Sequence, residues 1–130
     1  MFFNLYIDEL ISSIVSTNTG RKIGVHMSNI IAYADDLVLM APSPNGLQHL
    51  INKAVEKAQW LCLEFNTKKT VCQIFKSQSD YPSFTMNGFQ LKVVENVQYL
   101  GYNVNNSMDV SRNIEKARKS FNNSFNCMLR

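Results

Sequence analysis

Ile30-Ile31-Ala32-Tyr33-Ala34-Asp35-Asp36-Leu37-Val38-Leu39-Met40-Ala41 is an apolar run broken at its centre by two adjacent acids. Ile30, Ile31, Tyr33, Val38, Leu39 and Met40 read as two short buried strands. Asp35 and Asp36 disfavour strand and fit the tight turn between them. Such a hairpin lifts two carboxylates to the tip of a sheet with dry flanks, where the two anions repel and burial adds a desolvation cost. A divalent cation removes both penalties. Carboxylate oxygens suit magnesium, which keeps some waters and takes substrate phosphates as further ligands. Two such ions about 3.5–4 Å apart can stabilise both the attacking and the leaving oxygen of a phosphoryl transfer. A solvated turn without a ligand is the plainer reading of an Asp-Asp pair, and the dipeptide alone favours it.

The chain around this run has 130 residues, enough for one domain with a core of its own. Its 45% hydrophobic and 18% charged content is that of a globular protein and argues against global disorder. No apolar run reaches the ~18 residues of a membrane span. Asp8 and Glu9 interrupt the apolar start, which has no basic lead-in, so it does not read as a signal peptide. Charge is uneven: residues 1–66 hold four Lys/Arg against six Asp/Glu, and residues 67–130 hold nine against four. An acidic half carrying the hairpin and a basic half beyond it suit a metal site beside a nucleic-acid track, although mild basicity also serves solubility. Cys62, Cys72 and Cys127 are odd in number and form no CxxC, which points to a reducing intracellular compartment and no structural zinc. His26 and His49 are isolated and read as surface or packing residues.

Phe3, Tyr6, Ile7, Leu10, Ile11 and Ile14 recur at helical spacing and predict a helix over 2–16, ended by Asn18, Thr19 and Gly20. Asp8 and Glu9 fall on its solvated face. Arg21 to Met27 leads into the first strand, with Gly24 allowing a bend. Pro42-Ser43-Pro44 stops the second strand, and Ser43 followed by Pro44 predicts an N-cap and first helical residue. Leu47, Leu50, Ile51, Ala54, Ala58 and Leu61 then mark a helix to about Glu64, with Phe65 extending the stripe and Trp60 and Cys62 at its margins. Its expected job is to cover the sheet that carries Asp35 and Asp36. Asn66-Thr67-Lys68-Lys69-Thr70 reads as a loop with exposed lysines, followed by a strand over 71–76. After a polar break at 77–82, Asn87-Gly88 between alternating strands predicts a two-residue hairpin. A third strand is expected over 97–104, containing Tyr99-Leu100-Gly101-Tyr102. From about Asp109 a last helix shows Val110, Ile114, Ala117, Phe121, Phe125 and Met128 on one face and Arg112, Lys116, Arg118 and Lys119 on the other.

Four pieces in order resemble the reverse transcriptases of non-LTR (LINE-type) retrotransposons: Phe3-Asn4-Leu5-Tyr6-Ile7 in the first helix, the Tyr33-Ala34-Asp35-Asp36 hairpin, the Asn-x-x-Lys-Thr element at 66–70, and Tyr99-Leu100-Gly101. The hairpin is the specific piece, and the order of the others gives them weight. The resemblance implies an α+β fold: the C-terminal part of a polymerase palm with an antiparallel sheet covered by helices. Residues 1–107 would be palm, comprising hairpin 30–41, palm helix 44–64 and hairpin 84–104, and residues 108–130 the start of a helical thumb with a basic duplex-facing side. It implies RNA-directed DNA polymerisation, with an RNA template, a DNA primer and deoxynucleoside triphosphates as partners and Mg2+ as cofactor. Asp35 would be the main metal ligand and Asp36 the lesser one, with Tyr33 and Ala34 lining the cofactor side of the hairpin. Lys69 would lie near the incoming triphosphate, and Tyr99, Leu100 and Gly101 near the primer 3′ end. No acid here matches the family's third metal-binding aspartate, and the family's template-positioning loop and fingers have no counterpart in this stretch. The expectation is therefore a segment of a larger enzyme, inactive alone, with Met1 an internal methionine of a longer frame. The alternatives are a non-catalytic nucleic-acid-binding remnant or a non-functional truncated product.

Overall fold

The computed structural model describes residues 2–23, 26–75, 81–107 and 111–128. Its elements in order are α1 (Phe2–Val15), β1 (Arg21–Ile23), β2 (His26–Ser28), β3 (Ile30–Tyr33), β4 (Asp36–Leu39), α2 (Pro44–Trp60), β5 (Val71–Cys72), β6 (Thr85–Met86), β7 (Phe89–Gln90), β8 (Lys92–Val93), β9 (Asn96–Tyr99), β10 (Tyr102–Asn105) and α3 (Ser111–Met128). The class is α+β, as expected. The strands form separate two-stranded pairs, of which β1–β2, β3–β4, β6–β7 and β9–β10 are antiparallel hairpins. None of the helices is long and apolar enough to cross a membrane, among the described residues. Expectations at Gly24, Lys76, Asp109 and Val110, and for the side chains of Phe3, His26, Arg112, Phe125, Cys127 and Met128, lie outside the described residues.

Contacts divide the chain into two units, Met1–Thr70 with Tyr81–Lys92, and Val71–Asp80 with Val93–Arg130. In the first unit, Leu10 and Ile14 of α1 pack with Leu50, Ala54, Ala58 and Leu61 of the α2 segment, and Ile30, Leu37, Leu39 and Ala41 of the β3–β4 hairpin lie against them. Each fully buried Leu or Ile contributes about 1.5–3 kcal/mol. α2 begins as its sequence dictates: the Ser43 side chain accepts from Gly46 N–H at 3.2 Å, and Pro44 opens the first turn. Gln48 fixes the β6–β7 hairpin to α2, accepting from Thr85 N–H (2.9 Å) and donating to the Thr85 carbonyl (2.8 Å). Asn87 and Gly88, at φ 52° and 78°, form the predicted two-residue turn.

α2 stops at Trp60 rather than Glu64, for a local reason. Leu63 N–H donates to the Ala58 carbonyl (2.8 Å) and Cys62 N–H to the Gln59 carbonyl (3.1 Å), closing a Schellman turn with Cys62 at φ 57°. Leu61, Leu63 and Phe65 still reach the core from that turn, which is why the apolar spacing outruns the helix. A side chain costs about 1–2 kcal/mol in this left-handed conformation. Cys62 is exposed, so its side chain contributes no burial in return. Cys62→Gly is expected to raise unfolding free energy by about 1 kcal/mol, read as a higher urea midpoint with unchanged slope.

In the second unit, side-chain amides bond to the backbone of the short strands and the loop between them. Gln73 Nε2 donates to the carbonyls of Glu95 (2.8 Å) and Val104 (2.9 Å). Asn113 of α3 accepts from Asn103 N–H (2.8 Å) and donates to its carbonyl (2.6 Å), docking α3 on β10. Val94 N–H donates to the carbonyl of Cys72, whose buried thiol is pushed up to about 11 by desolvation. The strand expected over 97–104 is a hairpin instead. Tyr99 stands opposite Tyr102, and Leu100 and Gly101, at φ 48° and 83°, make its turn. The strand expected over 71–76 is the two residues of β5.

Candidate active site

The β3–β4 register places Ile30 opposite Leu39, Ile31 opposite Val38, Ala32 opposite Leu37 and Tyr33 opposite Asp36. The two-residue turn is therefore Ala34-Asp35, and Asp36 opens β4, one position away from the expected Asp35-Asp36 turn. Ala34 takes the left-handed position at φ 52°. Period-two alternation turns Ile30, Ala32, Leu37 and Leu39 to one face, the one α1 and α2 cover. Ile31, Tyr33, Asp36 and Val38 share the other. The strands expected to be buried are half-buried even on the first face, where Ile30, Leu37 and Leu39 pack against the helices. On the second, Ile31 is 47% and Tyr33 63% exposed, because among the described residues the helices pack on one side of this hairpin.

Asp35 and Asp36 are both exposed, so mutual repulsion rather than burial is their electrostatic cost. Among the described residues no Lys or Arg pairs with either; the ion pairs are Lys53–Glu56 (2.8 Å) and Lys57–Glu9 (2.9 Å). Lys53 also holds the Glu56 carboxyl below its ordinary range, through a hydrogen bond and its charge. The oxygens of Asp35 and Asp36 are thus available to a cation. No group of three or more His, Cys, Asp or Glu among the described residues could enclose one. That donor set fits magnesium, which commonly takes one or two carboxylates and fills its remaining positions with water and phosphate oxygens.

The base of the hairpin is anchored by a residue that sequence reasoning missed. Asn29 is fully buried, and its Nδ2 donates to the carbonyls of Ile14 (2.9 Å) and Thr19 (3.0 Å), where α1 ends. Its own carbonyl accepts from Met40 N–H at 2.8 Å, extending the ladder beyond Ile30 and Leu39. The hairpin is therefore fixed at one end and presents its carboxylates at the other. The available signal was a lone Asn directly before the apolar run.

Lys69 lies in the same unit, exposed in the turn after α2. Tyr99, Leu100 and Gly101 belong to the second unit, at the tip of β9–β10, where Lys116 Nζ donates to the Gly101 carbonyl at 3.3 Å. Leu100 and Tyr102 are exposed there. Gly101 is required by its turn, a need independent of any close approach by a ligand.

The family model described as reverse transcriptase (RNA-dependent DNA polymerase) matches residues 1–104. A retrovirus-related Pol polyprotein from a type-2 retrotransposable element of Drosophila melanogaster is 33% identical over 114 residues, covering 79% of this chain and 11% of that polyprotein. A putative uncharacterized transposon-derived protein of Caenorhabditis elegans is 30% identical over 111 residues, covering 82% of this chain and 39% of the relative. The chain thus spans well under half the length of either. No solved structure matches it.

Proposed function

This chain belongs to the reverse transcriptase (RNA-dependent DNA polymerase) family, and from that premise we propose that it is the palm segment bearing the metal-binding hairpin of a non-LTR retrotransposon polymerase. One observation carries the reading: two adjacent, exposed carboxylates without a cationic partner among the described residues, at the free end of a hairpin whose other end is anchored in a helical core. Asp35 is the principal magnesium ligand and Asp36 the second, and an aspartate from an upstream palm strand outside this chain completes the set. When bound, the metal acts as a Lewis acid on the reacting phosphate oxygens. The primer 3′-hydroxyl attacks the α-phosphorus of a deoxynucleoside triphosphate paired to an RNA template, and pyrophosphate leaves.

Lys69 sits on the triphosphate side, where it neutralises charge or gives a proton to the departing pyrophosphate. Residues 108–130 begin the thumb, whose exposed Lys116, Arg118 and Lys119 follow the duplex backbone. Two carboxylates from one hairpin do not hold two metal ions alone, so the 130-residue chain does not polymerise.

The test uses a polypeptide that joins this segment to an upstream palm. Lys69→Ala is expected to lower the rate of single-nucleotide addition about 10²-fold while template-primer affinity stays unchanged. A change confined to affinity would remove the proton-donor role. The basic surface of α3 supports a second reading, a non-catalytic nucleic-acid-binding remnant. Salt-sensitive binding indifferent to magnesium and to loss of both Asp35 and Asp36 would favour it.

A further inference from the structure

The 66–70 turn is closed by its own side chains. Asn66 Oδ1 accepts from the N–H groups of Lys68 (3.1 Å) and Lys69 (3.2 Å). The Asn66 carbonyl accepts from Lys69 N–H (3.1 Å), Thr70 N–H (3.0 Å) and the Thr70 hydroxyl (2.9 Å). Asn66 thus acts as the cap of a single helical turn, and Thr70 ties off the other end. Lys68 and Lys69 between them are exposed, and no side-chain bond holds either ammonium among the described residues. A free lysine gains direction only from its backbone, and here two polar side chains set that backbone.

We propose that Asn66 and Thr70 are positioning residues for Lys69: they fix the turn so that its ammonium meets the triphosphate of an incoming nucleotide. This rests on the reading of Lys69 as the triphosphate-side lysine. It assigns the Asn and the Thr of the element a role distinct from contact with the ligand, since the Asn66 Oδ1 and the Thr70 hydroxyl hydrogen are already engaged in the turn. The turn gives Lys69 a preset direction and so lowers the ordering cost of binding.

The magnesium complex of deoxythymidine triphosphate is titrated into the 130-residue chain, following by NMR the backbone amide signals of residues 67–70, which every variant retains, with a thermal melt of each variant to verify folding. Lys69→Ala is expected to weaken binding about tenfold and Asn66→Ala about fivefold, whereas Asn66→Ser, a neutral cap of equal rank, stays within about twofold. Added to Lys69→Ala, Asn66→Ala is expected to cost nothing further, because its effect runs through the lysine. An additional loss in that double variant, or unchanged affinity in Asn66→Ala while Lys69→Ala is weakened, overturns the positioning role and leaves Lys69 in place. Unchanged affinity in Lys69→Ala, or no binding to the unsubstituted chain, overturns the Lys69 reading itself and the positioning role with it. If Asn66→Ala fails to melt cooperatively, Thr70→Val serves instead, with an expected loss of about threefold and the same double-variant criterion.

Discussion

Asp35→Asn in a polypeptide carrying this segment and its upstream palm is expected to lower the rate of nucleotide addition by on the order of 10³ or more, leaving template-primer affinity nearly unchanged. The substitution keeps the side chain's shape and removes one negative charge. Asp35 is exposed in the Ala34-Asp35 turn and outside the packed face of the hairpin, so folding has little stake in it. Cation binding has a large stake, since no group of three or more His, Cys, Asp or Glu among the described residues is there to compensate. Asp36→Asn is expected to cost less, about 10–10², because the second carboxylate shares the ion with waters and phosphate oxygens. Pre-steady-state primer extension separates these effects from binding, and a melting temperature unchanged by either substitution assigns the loss to chemistry.

A clear effect on folding is expected at Asn29. Asn29→Ala removes one buried hydrogen bond, to the Ile14 carbonyl, and one part-buried, to that of Thr19, while Ile14 keeps the Thr17 donors; it also removes a buried Oδ1 that has no partner among the described residues. The expected loss is about 1–2 kcal/mol, read as a lower urea midpoint. Gly20 belongs to the same joint: a Cβ there would stand 2.7 Å from the Asn29 Cβ, and φ is 152°. Gly20→Ala is therefore expected to destabilise in the same range, through a clash the backbone cannot relieve by rotating a side chain. Both substitutions loosen the base of β3–β4 without touching the carboxylates.

These two residues show where the sequence was and was not legible. The first two helices, the Ser43-Pro44 start of α2 and the Asn87-Gly88 hairpin follow from local chemistry, and each is found; the reverse transcriptase resemblance rests on the order of its motifs, and the family model agrees with it. Asn29 escapes because its partners lie 10 and 15 residues away, and nothing local distinguishes a buried Asn from an exposed one. The β9–β10 hairpin escapes because Tyr, Leu and Tyr favour strand, and only Gly101 hints at the left-handed pair that Leu100 must join. The turn at Ala34-Asp35 was misplaced by one residue because Asp is the commoner turn former, whereas register is set by which face meets the core.

Divalent-cation binding at the β3–β4 tip is read by adding substoichiometric manganese to the isotope-labelled chain and recording amide line broadening. Selective broadening of residues 34–37, reversed by magnesium and removed by Asp35→Asn, is the expected result. Broadening spread evenly over all the acidic residues, or the same pattern in Asp35→Asn, would contradict it.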